Sequence, residues 1–231
     1  SSFLEFRRIY QSLKRNFQVI IPDLLGFGFS PRCATNEYNP SKIISYLIDL
    51  LKTLQITENL KIVGASMGGS TALKLAFEIP DSIEKMILLS PAGLFGKPKS
   101  IPFPLNQIGA SFLGLQQVRK SLCRQAFAFP NECVGEMEEQ IASIHLGCSG
   151  WRDSLASFAK SGGFAGTQKY IQNIPIKAVC GENDRILGKK EIKNIRKIDK
   201  LNFIGLQNCG HLPHVDLPSL SSKIIQDYFL E

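Results

Sequence analysis

The chain has 231 residues, 44% of them drawn from AVILMFWYC and 20% charged, with 19 glycines and 12 prolines. This composition fits a globular α/β-sized domain and excludes disordered, collagen-like and coiled-coil chains. The 27 basic and 20 acidic side chains leave a formal +7, but seven bases lie between Arg185 and Lys200. With Ile192, Ile195 and Ile198 between them they read as the solvated face of one helix, and no aromatic residues interleave them as a nucleic-acid stacking platform would require.

In chain order, five short apolar runs stand out between turn signals: Phe17 to Pro22, Leu60 to Gly64, Lys85 to Ser90, Ile176 to Gly181 and Leu201 to Leu206. They are nearly continuous rather than alternating, the pattern of parallel strands buried on both faces. Helical periodicity falls between them, over Pro40 to Leu54, Ser66 to Phe77, Lys189 to Ile198 and Pro218 to Leu230. The alternation predicts an α/β fold, a doubly wound, mostly parallel sheet with helices on both faces. The order breaks between Pro91 and Pro175, where helical patterns cover Gln107 to Ala128, Glu132 to Ile144 and Trp151 to Lys160. That stretch is expected to be an insertion folded over one edge of the sheet. The division is then 1–90 with 176–231 as core and 91–175 as insertion.

Six cysteines (Cys33, Cys123, Cys133, Cys148, Cys180, Cys209) form no CxxC pair and no cluster with histidine at metal-ligand spacing, so no metal is expected. No apolar run approaches the roughly 20 residues that span a bilayer, so no stable membrane insertion is expected. A reduced, cytoplasmic setting is the simplest reading, subject to any targeting segment on a missing amino terminus.

The chemistry begins at Gly64-Ala65-Ser66-Met67-Gly68-Gly69, a G-x-S-x-G between a strand and a helix. A tight turn there would strain the backbone of Ser66 and lift its hydroxyl above the sheet edge, with Gly64 and Gly68 sparing the neighbouring backbone a Cβ. The Met67 N–H, at a helix start, is the first candidate donor for an oxyanion hole. A serine needs a base. Of His145, His211 and His214, His211 follows a strand and a permissive Gly210; His214 is its rival, and His145 reads as structural. The imidazole needs a carboxylate, for which Asp184 is preferred, Glu182 is the fallback, and Asp216 reads as a capping or loop residue. Ser66, Asp184 and His211 occur in the chain order of nucleophile, acid and histidine.

These motifs, together with Pro22-Asp23-Leu24-Leu25-Gly26-Phe27-Gly28-Phe29-Ser30, GENDRI at 181–186 and GHLPHVDLP at 210–218, resemble the α/β-hydrolase superfamily of the esterase, lipase and C–C hydrolase type. The resemblance implies an α/β-hydrolase fold in which 91–175 is a helical lid. It implies no cofactor and an ester or acyl substrate cleaved through an acyl-enzyme; the apolar content of 91–175 (Ile101, Phe103, Leu105, Ile108, Phe112, Leu113, Leu115) either marks that substrate as small and hydrophobic or buries the lid against the sheet. C–C bond hydrolysis and thioester hydrolysis are the alternatives on the same triad, and a non-catalytic ligand-binding protein is the alternative from another class. Serine at 66 argues against haloalkane dehalogenases and epoxide hydrolases, which resemble this pattern but carry Asp there. The family's first strands, and the His-Gly loop that completes its oxyanion hole, have no counterpart here, because Ser1-Ser2-Phe3 resembles the family's segment just past that loop. The expectation is a piece of a larger hydrolase, lacking the second oxyanion donor and with a gap in its sheet.

Overall fold

The computed structural model describes residues 2–32 and 37–231; Cys33 lies outside the described residues. The chain opens with α1 (Arg7–Leu13) and α2 (Pro40–Thr53), then β1 (Leu60–Ala65), α3 (Met67–Glu78) and β2 (Ile83–Leu89). Five helices follow: α4 (Leu105–Leu113), α5 (Gln116–Gln125), α6 (Pro130–Cys133), α7 (Glu136–Ser143) and α8 (Trp151–Lys160). The chain then returns through β3 (Ile176–Gly181), α9 (Gly188–Arg196), β4 (Leu201–Leu206), α10 (Pro213–Asp216) and α11 (Pro218–Leu230).

The strands form one parallel sheet in the order β1-β2-β3-β4. Its two faces explain the continuous apolar runs. Met86 and Leu88 of β2 with Ala178 and Cys180 of β3 point into one core, closed by Ala72, Leu73 and Ala76 of α3 and Ile192 and Ile195 of α9. The intervening Ile87, Leu89 and Val179 point into the other, closed by Ile9 and Leu13 of α1 and Ile225, Tyr228 and Phe229 of α11. From Met86 to Leu89 and from Ala178 to Cys180 the strand residues are thus apolar whichever way they face. On α9 only Ile192 and Ile195 are buried, while Lys189, Lys190, Lys193 and Lys197 lie on its outer side.

Phe17 to Pro22 is not a strand. It has no ladder partner among the described residues, and a run whose N–H and C=O groups meet no neighbouring strand stays irregular however apolar it is. Phe17 and Val19 still pack on the second core. The periodicity over Gln107 to Ala128 is split into α4 and α5 at Gly114, where a Cβ would stand 3.3 Å from the ring of Trp151. The insertion between β2 and β3 packs α4 on α8 and α5 on α7. No helix among the described residues is long and apolar enough to cross a membrane.

Candidate active site

Three loops leave the carboxyl ends of parallel strands and converge, the usual place for a site in an open α/β sheet. Backbone bonds lace these ends together: Ser66 N–H donates to Leu89 O, Ser90 N–H to Val179 O, Glu182 N–H to Leu206 O and Asn183 N–H to Cys209 O, each at 2.9 Å.

Ser66 occupies the turn between β1 and α3 with φ +51° and ψ −120°, a strained conformation for a residue with a Cβ, costing on the order of 1–3 kcal/mol. Its carbonyl accepts from Gly69 N–H (2.9 Å) and Ala92 N–H (3.0 Å), which holds the turn closed. The close approach belongs to Gly64 and Gly69. A Cβ on Gly64 would lie 2.4 Å from Gly68 O and one on Gly69 2.7 Å from Pro91, whereas Gly68, expected to share this role, faces open space. Met67 is the first residue of α3, so its N–H has no partner within the helix.

His211 is buried, and both of its ring nitrogens are engaged. Nε2 is 2.8 Å from Ser66 Oγ, and Nδ1 is 2.8 Å from Asp184 Oδ2. The other carboxylate oxygen, Asp184 Oδ1, accepts from Ile186 N–H (2.8 Å) and Leu187 N–H (2.9 Å). Burial alone would raise the pKa of Asp184. The bond and charge of His211 with the two backbone donors outweigh that and hold it below the usual carboxylate value. The structure therefore brings Ser66, His211 and Asp184 into one hydrogen-bonded line, with Met67 N–H at the head of the helix that Ser66 caps. Such a line can move a proton from the hydroxyl to the imidazole and stabilise the resulting cation.

The rivals lie elsewhere. Glu182 points away and pairs with Arg196 at 2.5 Å. His214 is fully buried, stacked on Phe6 at 4.5 Å, with neither ring nitrogen hydrogen-bonded. Burial, helped by the charges of His211 and Arg7, pushes its pKa down to about 3. His145 is buried against Trp151, and burial likewise lowers its pKa to about 3. Cys209 is also buried, and its thiol is pushed up to about 12 by burial, with Asp216 and Asp184 adding to the shift. Among the described residues, no cluster of His, Cys, Asp and Glu could hold a metal ion.

Asp216 does more than cap a loop. Its Oδ2 accepts from Gly210 N–H (2.6 Å), next to the histidine, and from Ala128 N–H (2.9 Å) in the insertion. Ala126 O accepts from His211 N–H at 2.7 Å, and Arg185 donates to Ala128 O at 2.7 Å. Gly210 is required at this crossing, since a Cβ would meet Ala126 O at 2.3 Å. A second set of ties joins the amino terminus to α7: Glu138 Oε1 accepts from Arg7 (2.7 Å) and Arg8 (2.6 Å), and Arg8 also donates to Val215 O (2.8 Å). Only the Asp216 part had any trace in the sequence, as an acid five residues after the histidine.

Residues 1–134, which include the Ser66 turn, match the model of a family described as alpha/beta hydrolase fold. Over 237 residues the chain is 27% identical to "Alpha/beta hydrolase domain-containing protein VTE7" of Arabidopsis thaliana, covering 99% of this chain and 71% of that protein. It is 24% identical over 247 residues to a 2-hydroxymuconate semialdehyde hydrolase of Pseudomonas sp. (strain CF600), covering 100% of this chain and 83% of that protein. Among solved structures, a meta-cleavage product hydrolase of Pseudomonas fluorescens IP01 superposes with a TM-score of 0.82 at 18% identity, covering 99% of this chain and 85% of that one. The family model ends before Asp184 and His211, but the two relatives extend the match across the residues that meet Ser66. With its parallel sheet and its strand-turn-helix serine, the chain belongs to the alpha/beta hydrolase fold family.

Proposed function

We propose that the protein is a serine hydrolase that cleaves a carboxylic ester or related acyl bond. The observation that carries this reading is the unbroken line Ser66 Oγ, His211 Nε2, His211 Nδ1, Asp184 Oδ2, with 2.8 Å at both contacts. His211 takes the hydroxyl proton as Ser66 Oγ bonds to the carbonyl carbon, and Met67 N–H donates to the oxygen that becomes an oxyanion. Collapse of the adduct breaks the bond to the leaving group, which departs with the proton held on His211. Water, deprotonated by the same imidazole, then hydrolyses the acyl-enzyme and restores Ser66. Asp184 stays ionised throughout and fixes the imidazole so that Nε2 faces the serine. The helices of 91–175 serve as the lid that shapes the substrate pocket.

A second reading, C–C bond hydrolysis of a vinylogous diketone, is favoured by the relatives named for 2-hydroxymuconate semialdehyde and meta-cleavage products. There the leaving group is a carbon acid rather than an alcohol. Fluorophosphonate labelling tests the nucleophile: the chain should label and Ser66→Ala should not. Equal labelling of the two removes Ser66, and absence of labelling in the parent chain favours a ligand-binding protein on this fold. Turnover of p-nitrophenyl esters against ring-fission diketones then separates the two hydrolytic readings.

A further inference from the structure

The segment from Gly96 to Leu115 is built inside out. On α4 the buried residues are Asn106, which donates to Ala156 O at 3.1 Å, and the small Ala110, both turned toward α8. Its large apolar residues point the other way. Leu105 and Ile108 are each 60% exposed and Phe112 is 56% exposed, at the i, i+3, i+7 spacing of one helical stripe. Phe103 (77%) and Ile101 (43%) extend the stripe before the helix, and Leu115 (54%) extends it after. Single exposed apolar residues need no explanation, but six within fifteen positions, three of them on one stripe of α4, mark a contact surface.

Charge decides what the surface meets. Between Glu84 and Glu132 the sequence holds no acidic residue; of its six basic ones Lys85 lies over Tyr228, Lys120 pairs with Glu139, and Arg119 and Arg124 donate to Ala142 O and Asn131, which leaves Lys97 and Lys99 for this face. Lys97 and Lys99 are exposed just before the apolar stripe, and Ser100 donates to Lys160 O at 2.6 Å, which brings a third exposed lysine to the same end. Asp153, on α8, accepts from Gln107 at 3.4 Å and has Arg152 beside it at 3.8 Å, so its charge is offset locally. A second copy docked on this face would bring the same three lysines and no acidic side chain from 85–131 to meet them. A layer of acyl chains takes exposed apolar side chains without a shaped pocket, and its anionic headgroups take the lysines.

We propose that the Gly96–Leu115 face docks the protein on an anionic lipid surface, with Phe103, Leu105, Ile108 and Phe112 entering the headgroup boundary and Lys97, Lys99 and Lys160 contacting the phosphates. This is peripheral binding and independent of the hydrolase reading.

The test is flotation of the full chain with phosphatidylcholine vesicles containing about 30% phosphatidylglycerol, and with phosphatidylcholine alone. The chain should partition onto the mixed vesicles about tenfold or more above the neutral ones. Lys97→Glu with Lys99→Glu, and separately Phe103→Ser with Ile108→Ser, should each lower that partition by about tenfold or more. All these side chains are exposed, and circular dichroism checks that each variant is folded; the single changes Lys97→Glu and Phe103→Ser stand in for a pair that is not. The proposal is overturned by no flotation, by flotation indifferent to both pairs, or by a dimer in size exclusion that Phe103→Ser with Ile108→Ser dissolves.

Discussion

Two imidazoles three residues apart, His211 and His214, are both buried, and their surroundings could hardly differ more. Around His211 a carboxylate and a hydroxyl engage both nitrogens, and the loop that carries it is bonded to Ala126. Around His214 there is a phenyl ring and no hydrogen-bond partner for either nitrogen. Burial by itself makes an imidazole a poor base, because it disfavours the cation that a base must become. In the proposed mechanism the difference is Asp184, whose charge and bond sit where an imidazolium on His211 would form. His214 is packing, and its burial disfavours the cation, which is why its pKa is pushed down to about 3.

The contrast can be broken most severely at the reacting atoms. Ser66→Ala or His211→Ala should lower hydrolysis by about 10⁵- to 10⁶-fold and abolish fluorophosphonate labelling, measured on any substrate the chain turns over. Asp184→Asn comes next. The amide oxygen can still accept from Ile186 and Leu187, so the fold should hold, while kcat falls by about 10⁴-fold as the imidazole loses its tautomer and its counter-charge. A loss under tenfold would mean that the carboxylate does not orient the base.

Asp216→Ala removes an acceptor shared by Gly210 and Ala128 and should destabilise the fold by roughly 2–3 kcal/mol in urea titration. Asp216→Asn, which keeps an acceptor oxygen, should recover part of it. The smallest effect is expected at His214→Phe, which keeps the stack on Phe6 and loses no hydrogen bond, so activity should stay within about twofold. Its signature is in acid. The folded pKa of about 3 lies below the ordinary 6.5, so the unfolded chain binds a proton that the folded chain refuses between those values. Stability is then fully present above about pH 6.5 and falls by roughly 1 kcal/mol per pH unit below it for this one group. His145, lowered in the same direction, adds to the slope and remains in the variant. His214→Phe should therefore flatten the loss of stability from pH 7 to pH 5 without removing it, as read from denaturation midpoints at the two pH values.

The sheet could be read from the sequence where both faces are buried, because residues such as Met86 to Leu89 are apolar whichever core they enter. The converging residues could be read because each follows a strand closely, so strand order alone brings Ser66, Asp184 and His211 to one edge. Phe17 to Pro22 misled because apolar composition records burial, and a ladder also needs a neighbour. The pairing of Arg7 and Arg8 with Glu138 spans about 130 residues, and no local pattern encodes which charges will meet at that distance. Glu182, the fallback acid, turns instead to Arg196 on α9, a partner that its place after a strand does not reveal.

The bond from His211 N–H to Ala126 O bears on how this protein can be recombined. The 91–175 insertion looks like a module bounded by β2 and β3, ready to be exchanged for that of a relative. Yet Ala126, Phe127 and Ala128 are buried against Gly210, Asp216 and Arg185 and form part of the wall that holds the imidazole. A chimera cut at the ends of the two strands would replace that wall along with the module. One that keeps 126–128 and exchanges the spans on either side would leave the geometry of the base in place.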